Sequence, residues 1–226
     1  MIIPSSPILL LCGNIGRPYN KLYRDFIEFC STVFEKVFVI AGEEEYYGTK
    51  QYDKIEMLIR NITNRHTNVK YLRHESEKLN SEYDVIGTTF EAKVCRDRVL
   101  DSIDFLTQEA PPYTEEYLKG IFNRNLWELE QLIEDSKRSS KKLVIMSDSI
   151  VSFDEIADTE TLGLMCKSNP FNKMDNLLRD NQNIKLWFYN GSDKGLQEMP
   201  KSCKIINGAN DYPRTMERRP NLIKLD

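Results

Sequence analysis

Hydrophobic positions along this chain fall in blocks that alternate between a strand-like and a helix-like period. Ile8-Leu9-Leu10-Leu11-Cys12 is a short continuous apolar run closed by Gly13. Such a run reads as a strand covered on both faces. Leu22, Phe26, Phe29 and Val33 then recur at helical spacing, which predicts an amphipathic helix over residues 19–35. Val37-Phe38-Val39-Ile40 is a second buried strand, followed at once by Ala41-Gly42. A strand–helix–strand unit of this kind crosses over right-handedly and makes its strands parallel.

Ile55, Leu58, Ile59 and Ile62 predict a second helix, and Val69 to Leu72 a short strand. Asp84 to Phe90 is strand-like and rich in β-branched residues. Pro111-Pro112 interrupts a polar stretch, after which Leu118, Phe122, Leu126, Leu129 and Ile133 line the inner face of a long helix. Leu143 to Met146 is another buried strand. Residues 147–170 are polar and read as a loop, and residues 171–179 as a helix. Strands follow at Ile184 to Tyr189, ended by Asn190-Gly191, and at Cys203 to Ile206, ended by Asn207-Gly208. Leu222 to Leu225 suggests a last edge strand. No internal repeat or low-complexity linker divides the chain, so residues 1–226 are expected to form a single α/β domain.

Composition narrows the functional classes. The chain has 226 residues, 40% of them hydrophobic, enough for one ordinary core. A net charge of −4 gives no general basic footprint, so nucleic acid is not indicated as a partner. No apolar run approaches the roughly 20 residues of a membrane helix, and no basic leader precedes Ile8. The expected location is cytoplasmic. A virion is the alternative, since frequent Asn, Ile and Lys fit an A/T-rich genome such as that of a large DNA virus. The five cysteines, Cys12, Cys30, Cys95, Cys166 and Cys203, are widely spaced, as buried free thiols in a reducing compartment would be. His66 and His74, the two histidines, each follow an arginine and are expected at the surface, whereas Trp127, Trp187 and Phe188 are expected in the core. Arg214, Arg218 and Arg219 form a late basic cluster that reads as solvated.

The polar turns at strand ends are the candidate chemistry. In open parallel sheets, sites form beyond the carboxyl ends of strands. Five such ends carry Gly13-Asn14, Gly42-Glu43, Ser147-Asp148, Asn190 to Asp193, and Asn207-Gly208. Singly, each is an ordinary turn composition. As an ordered set they carry more. Residues 8–18, ILLLCGNIGRP, resemble the "LAGDIG.P" block of calcineurin-like metallophosphoesterases. Residues 37–48, VFVIAGEEEYYG, resemble their "VPGNHEYYG"; residues 84–90 their "IGTTLW"; residues 143–149 their "VVTHH.P"; residues 186–193 their "LWIHGHTH"; and residues 207–213 their "NPRGYP".

The resemblance implies a β-sandwich of two mixed sheets flanked by helices, in α/β/β/α layers. For active members it also implies two metal ions held by Asp, Asn and His at strand ends. Two dications about 4 Å apart need a bridging anion, and imidazole nitrogens suit transition metals. Here the bridging Asp falls on Asn14, the Asn-His pair on Glu43 and Glu44, the next His on Ser147, and the last two His on Gly191 and Asp193. The family's opening Asp-x-His strand has no counterpart. Every carried-over metal position has changed identity.

Two functional expectations follow. The first is a catalytically inactive metallophosphoesterase-like protein with no metal cofactor. It would serve as a structural or protein-interaction module, with a protein partner or a second copy of itself. The alternative is a metal-dependent phosphoesterase with a rebuilt carboxylate-rich site, in which Asn14, Glu44, Asp148 and Asp193 hold Mg²⁺, Mn²⁺ or Ca²⁺ through oxygen.

Overall fold

The computed structural model describes residues 6–46, 52–89, 115–148, 172–190, 196–198, 203–207 and 225. Two sheets organise them. The smaller has three strands in the order β1 (Ile8–Cys12), β2 (Lys36–Ile40), β3 (Val69–Tyr71), all parallel. Among the described residues it is therefore not mixed, because β2 and β3 are each reached from the preceding strand by a helical crossover. The first crossover is α1 (Lys21–Val33). α2 (Glu43–Tyr46) and α3 (Tyr52–Thr63) lie between β2 and β3. Leu9, Leu11, Val37, Val39 and Ala41 share a cluster with Tyr23, Ile27 and Cys30 of α1 and Ile55, Ile59 and Ile62 of α3.

The inner face of α1 is only partly the one its apolar spacing suggests, since Phe26 and Val33 of that stripe pack against the cluster. Tyr23, Ile27 and Cys30 are buried, while Leu22 is 72% and Phe29 36% exposed. Both ends of the helix are held by asparagines. Asn20 caps the start by accepting from the Leu22 N–H at 3.0 Å. At the far end Asn68 Nδ2 donates to the carbonyls of Ser31 and Phe34 at 2.9 and 2.8 Å.

The larger sheet has six strands: β4 (Glu75–Lys78), β5 (Tyr83–Thr88), β6 (Lys142–Ser147), β7 (Ile184–Tyr189), β8 (Leu196–Glu198) and β9 (Lys204–Asn207). Their order is β4-β5-β6-β7-β9-β8. The four inner strands are parallel, and β4 and β8 close the edges antiparallel. β4 reads Glu-Ser-Glu-Lys and has no apolar signal; it pairs through its backbone, and its charges blunt the edge. The long helix α4 (Glu115–Arg138) and α5 (Asn172–Asp180) pack Phe122, Leu126, Leu129, Ile133, Leu177 and Leu178 against Ile86, Leu143, Ile145 and Trp187.

A third cluster draws on both sheets. It joins Leu10, Cys12, Phe38 and Ile40 to Val85, Val144, Met146, Leu186 and Ile206. The alternate residues of β2 and β6 thus serve different clusters, as the two-residue strand period requires. The sheets approach closely at Gly87, where an added Cβ would lie 2.3 Å from Leu72 Cβ and 2.7 Å from Ile40 Cγ2.

Two expected environments are corrected. Trp127 is 59% exposed, because it lies on the outer side of α4, away from the Leu126/Leu129/Ile133 face. His74 is 91% buried at its side chain, since the link from β3 to β4 passes beneath α4. Trp187 is fully buried, as its strand spacing suggests. The polar run at 149–170, the Pro111-Pro112 break and the arginines near 214–219 lie outside the described residues. Of the suggested edge strand at 222–225, only Leu225 is described, and it is not in a strand. No described helix is long and apolar enough to cross a membrane.

Candidate functional site

The carboxyl ends of β5, β6, β7 and β9 lie side by side, with Thr88 beside Ser147, Ser147 beside Tyr189 and Tyr189 beside Asn207. The turns after β1 and β2 meet the same rim. Gly13 has φ +77°, and an added Cβ would sit 2.6 Å from the Gly42 nitrogen. Only glycine allows two backbones that close. Asn14 follows with φ 54°, a left-handed conformation that asparagine tolerates. Its Oδ1 rests over Gly42, 2.6 Å from where a Cβ would be.

Glu45 holds these two turns together. It is fully buried on α2. Its Oε2 accepts the N–H groups of Gly42 at 2.7 Å and Asn14 at 2.8 Å. Its Oε1 accepts those of Ile15 at 2.6 Å and Gly16 at 3.3 Å. Successive backbone N–H groups make an anion-binding concavity, and here the chain supplies its own anion. Burial pushes the Glu45 carboxyl above the usual range, and the four N–H groups pull against that rise.

The other expected positions are only partly brought together. Ser147 is fully buried, and its Oγ accepts the Trp187 indole N–H at 2.8 Å. The next turn is tied in by Asn190, whose N–H donates to the Ser147 carbonyl at 3.3 Å and whose Nδ2 donates to the Gly13 carbonyl at 3.2 Å. Asp148 follows β6 and lies close enough for its charge to raise both the Cys12 thiol and the Tyr46 phenol. Burial is the larger cause for each, and Cys12 is pushed up to about 12. Glu43 and Glu44 lie on α2, and their side chains are outside the described residues, as are Gly191 and Asp193. Among the described residues, no group of three or more His, Cys, Asp or Glu is gathered closely enough to hold a metal ion.

A second polar layer, unforeseen from the sequence, flanks the rim. His74 has φ 51°, and its Nδ1 lies 3.0 Å from Thr88 Oγ1 and 3.7 Å from Glu128 Oε2. Burial first, then Arg73 and Arg124, lower its pKa to about 4, against the raising influence of Glu128 and Glu75. Arg73 pairs with Glu56, whose Oε1 accepts from Tyr46 OH at 3.3 Å. Thr89 Oγ1 donates to the Ala41 carbonyl at 3.1 Å, and Asn125 Nδ2 to the Thr89 carbonyl at 3.0 Å. The sequence signals for this layer are weak. The threonines of 84–90 and the third glutamate of the Glu run are visible, but Thr88 meets a histidine ring, and most partners of Thr89 and Glu45 are backbone groups far away in the chain.

The fold is similar to that of a solved hydrolase. Phosphopantetheinyl hydrolase from Mycobacterium tuberculosis superposes with a TM-score of 0.62 at 13% identity, covering 94% of this chain and 83% of its own. The uncharacterized protein L509 of Acanthamoeba polyphaga mimivirus is 24% identical over 198 residues, which span 80% of this chain and 70% of the viral one. No family model matches the sequence.

Proposed function

We propose that this chain is a catalytically inactive metallophosphoesterase-like protein that works as a structural or protein-interaction module. The observation that carries the reading is the state of Ser147. It stands where the resemblance puts a metal-binding histidine, and it is sealed in the core with its hydroxyl bonded to Trp187. Asn14, at the bridging position, carries no charge, and its amide is packed on Gly42. These groups do not fit a pair of transition-metal ions, which needs nitrogen donors and an anionic bridge.

The architecture we infer is one domain in α/β/β/α layers. The three core clusters support it, one outside each sheet and one shared by both. The interaction role has two supports. β1, wholly apolar, is an edge strand of its sheet among the described residues, and such an edge can pair with another chain. Tyr19, Leu22 and Phe29 also expose apolar surface along α1. The partner is a protein or a second copy of this chain. The mimivirus relative supports a viral setting, in the cytoplasm of the infected cell or in the particle. Light scattering of the purified protein should then give more than the monomer mass, or a stable protein should co-purify. A lone monomer would count against the role.

Hydrolysis of bis-(p-nitrophenyl) phosphate with Mn²⁺ tests inactivity. Turnover should stay at background, and calorimetry with Mg²⁺, Ca²⁺ or Mn²⁺ should show no heat. One observation favours the alternative of a rebuilt carboxylate site on Asn14, Glu44, Asp148 and Asp193: Asp148 lies near Cys12 and Tyr46 at the rim. That reading requires turnover that disappears in Glu44→Ala or Asp193→Ala.

A further inference from the structure

On the outer side of the larger sheet, α4 and α5 leave a groove of about 600 Å³. Its walls include Trp127, Glu130, Glu134 and Lys137 from α4, with Asp180 and Asn181 from the end of α5. The groove lies at the opposite pole from the rim. The C-terminal ends of α4 and α5 feed the starts of β6 and β7, whereas the rim lies at those strands' far ends.

Its chemistry is one-sided. Glu134 is bonded to Lys137 at 2.6 Å, so that pair is neutral as a unit. Glu130 and Asp180 have no ion-pair partner among the described residues and leave the groove acidic. Trp127 is 59% exposed beside them, an indole face available for stacking. Asn181 supplies an independent sign. It is 94% buried, and its Nδ2 is spent on the Leu177 carbonyl at 2.6 Å. Its Oδ1 is buried with no hydrogen-bond partner among the described residues. A buried acceptor left unsatisfied costs roughly 1–3 kcal/mol, a cost that a donor would relieve once a small turn of the Asn181 side chain brings Oδ1 to the groove wall.

We propose that this groove binds an arginine side chain presented by a basic segment of a protein partner. A guanidinium meets all of these features at once. It is planar and stacks on an indole, it is always charged, and it carries five N–H donors for carboxylates and an amide oxygen. The volume suits one or two side chains rather than a folded surface. The site gives the interaction role of the preceding section a partner chemistry. It rests on that role, not on the rim being inert, since a phosphoesterase could carry the same groove.

The probe is the peptide acetyl-Gly-Arg-Gly-Arg-Gly amide, titrated into the full chain, with a citrulline counterpart that keeps shape and loses charge. The chain has two tryptophans, and Trp187 is buried, so a change in emission reports on Trp127. Calorimetry gives the affinity independently of that signal. We expect saturable binding of the arginine peptide that weakens with salt, and citrulline binding about tenfold weaker or worse. Trp127→Ala should abolish the emission change and weaken binding. Glu130→Gln and Asp180→Asn should each weaken it about fivefold. All three positions lie at the groove surface, and circular dichroism checks that each variant is folded. No binding at about 1 mM peptide, equal binding of the citrulline peptide, or unchanged affinity in both carboxylate variants would overturn the proposal. Hydrolysis at the rim is read separately, so failure here leaves the reading of the rim intact.

Discussion

Glu45 shows how much one side chain can hold. Its carboxylate is the acceptor for four backbone N–H groups from two turns. Glu45→Ala should therefore strand several buried donors at once. We expect a loss of at least about 3 kcal/mol, several times the net worth of a single hydrogen bond, measured by urea unfolding. Glu45→Gln keeps the volume but offers an N–H where only acceptors fit, and should fall between the two. His74 makes a different prediction. Its folded pKa is lowered to about 4, below the roughly 6.5 of an unfolded chain. Between those values the unfolded state binds the extra proton, so stability should be complete above about pH 6.5 and fall as pH drops toward 4. The loss is on the order of 3 kcal/mol, and His74→Gln should flatten that part of the pH profile. Neither role could be read from the sequence. The Glu run was visible, but a carboxylate whose partners are main-chain N–H groups leaves no pairing pattern. His74 beside Arg73 has a surface signature, and it is buried only because α4 passes over it.

Helices and strands with an apolar period were legible because burial on a sheet demands that period. Phe122, Leu126, Leu129 and Ile133 face the core as their spacing requires. What spacing could not settle was rotation. α1 carries two candidate stripes one residue apart, and packing on the sheet buries Tyr23, Ile27 and Cys30 while Leu22 and Phe29 stay exposed. β4 was silent because a solvated edge strand needs no apolar residues, only a partner for its backbone. Gly87, by contrast, has a packing role that can be tested directly. Gly87→Ala should force β5 away from Ile40 and Leu72 and cost about 2–3 kcal/mol or more, in the manner of an overpacked core. Thermal unfolding would measure it. Gly120, on α4, has open space around it, so Gly120→Ala should be neutral or slightly stabilising.

The cluster shared by both sheets ties the two halves of the molecule together. Leu10 and Phe38 meet Val144 and Leu186 in the same layer. Urea unfolding should accordingly follow one transition, coincident by Trp fluorescence, which senses the larger sheet through Trp187, and by far-ultraviolet dichroism, which senses both. Two separated transitions would mean that the sheets melt independently. The strand ends of the rim were legible as an ordered set of turns, and the structure places several of them together. How they are bonded was not legible, because hydrogen bonds such as Trp187 to Ser147 span 40 residues of sequence.

The pocket that Glu45 fills has a consequence for any anion that approaches these turns. A phosphate entering the concavity formed by Asn14, Ile15 and Gly16 would have to compete with a tethered carboxylate already seated there. Grafting new ligands one at a time onto the neighbouring turns would perturb the clasp that aligns them. Opening this concavity to a free anion would need the clasp and the turns redesigned together.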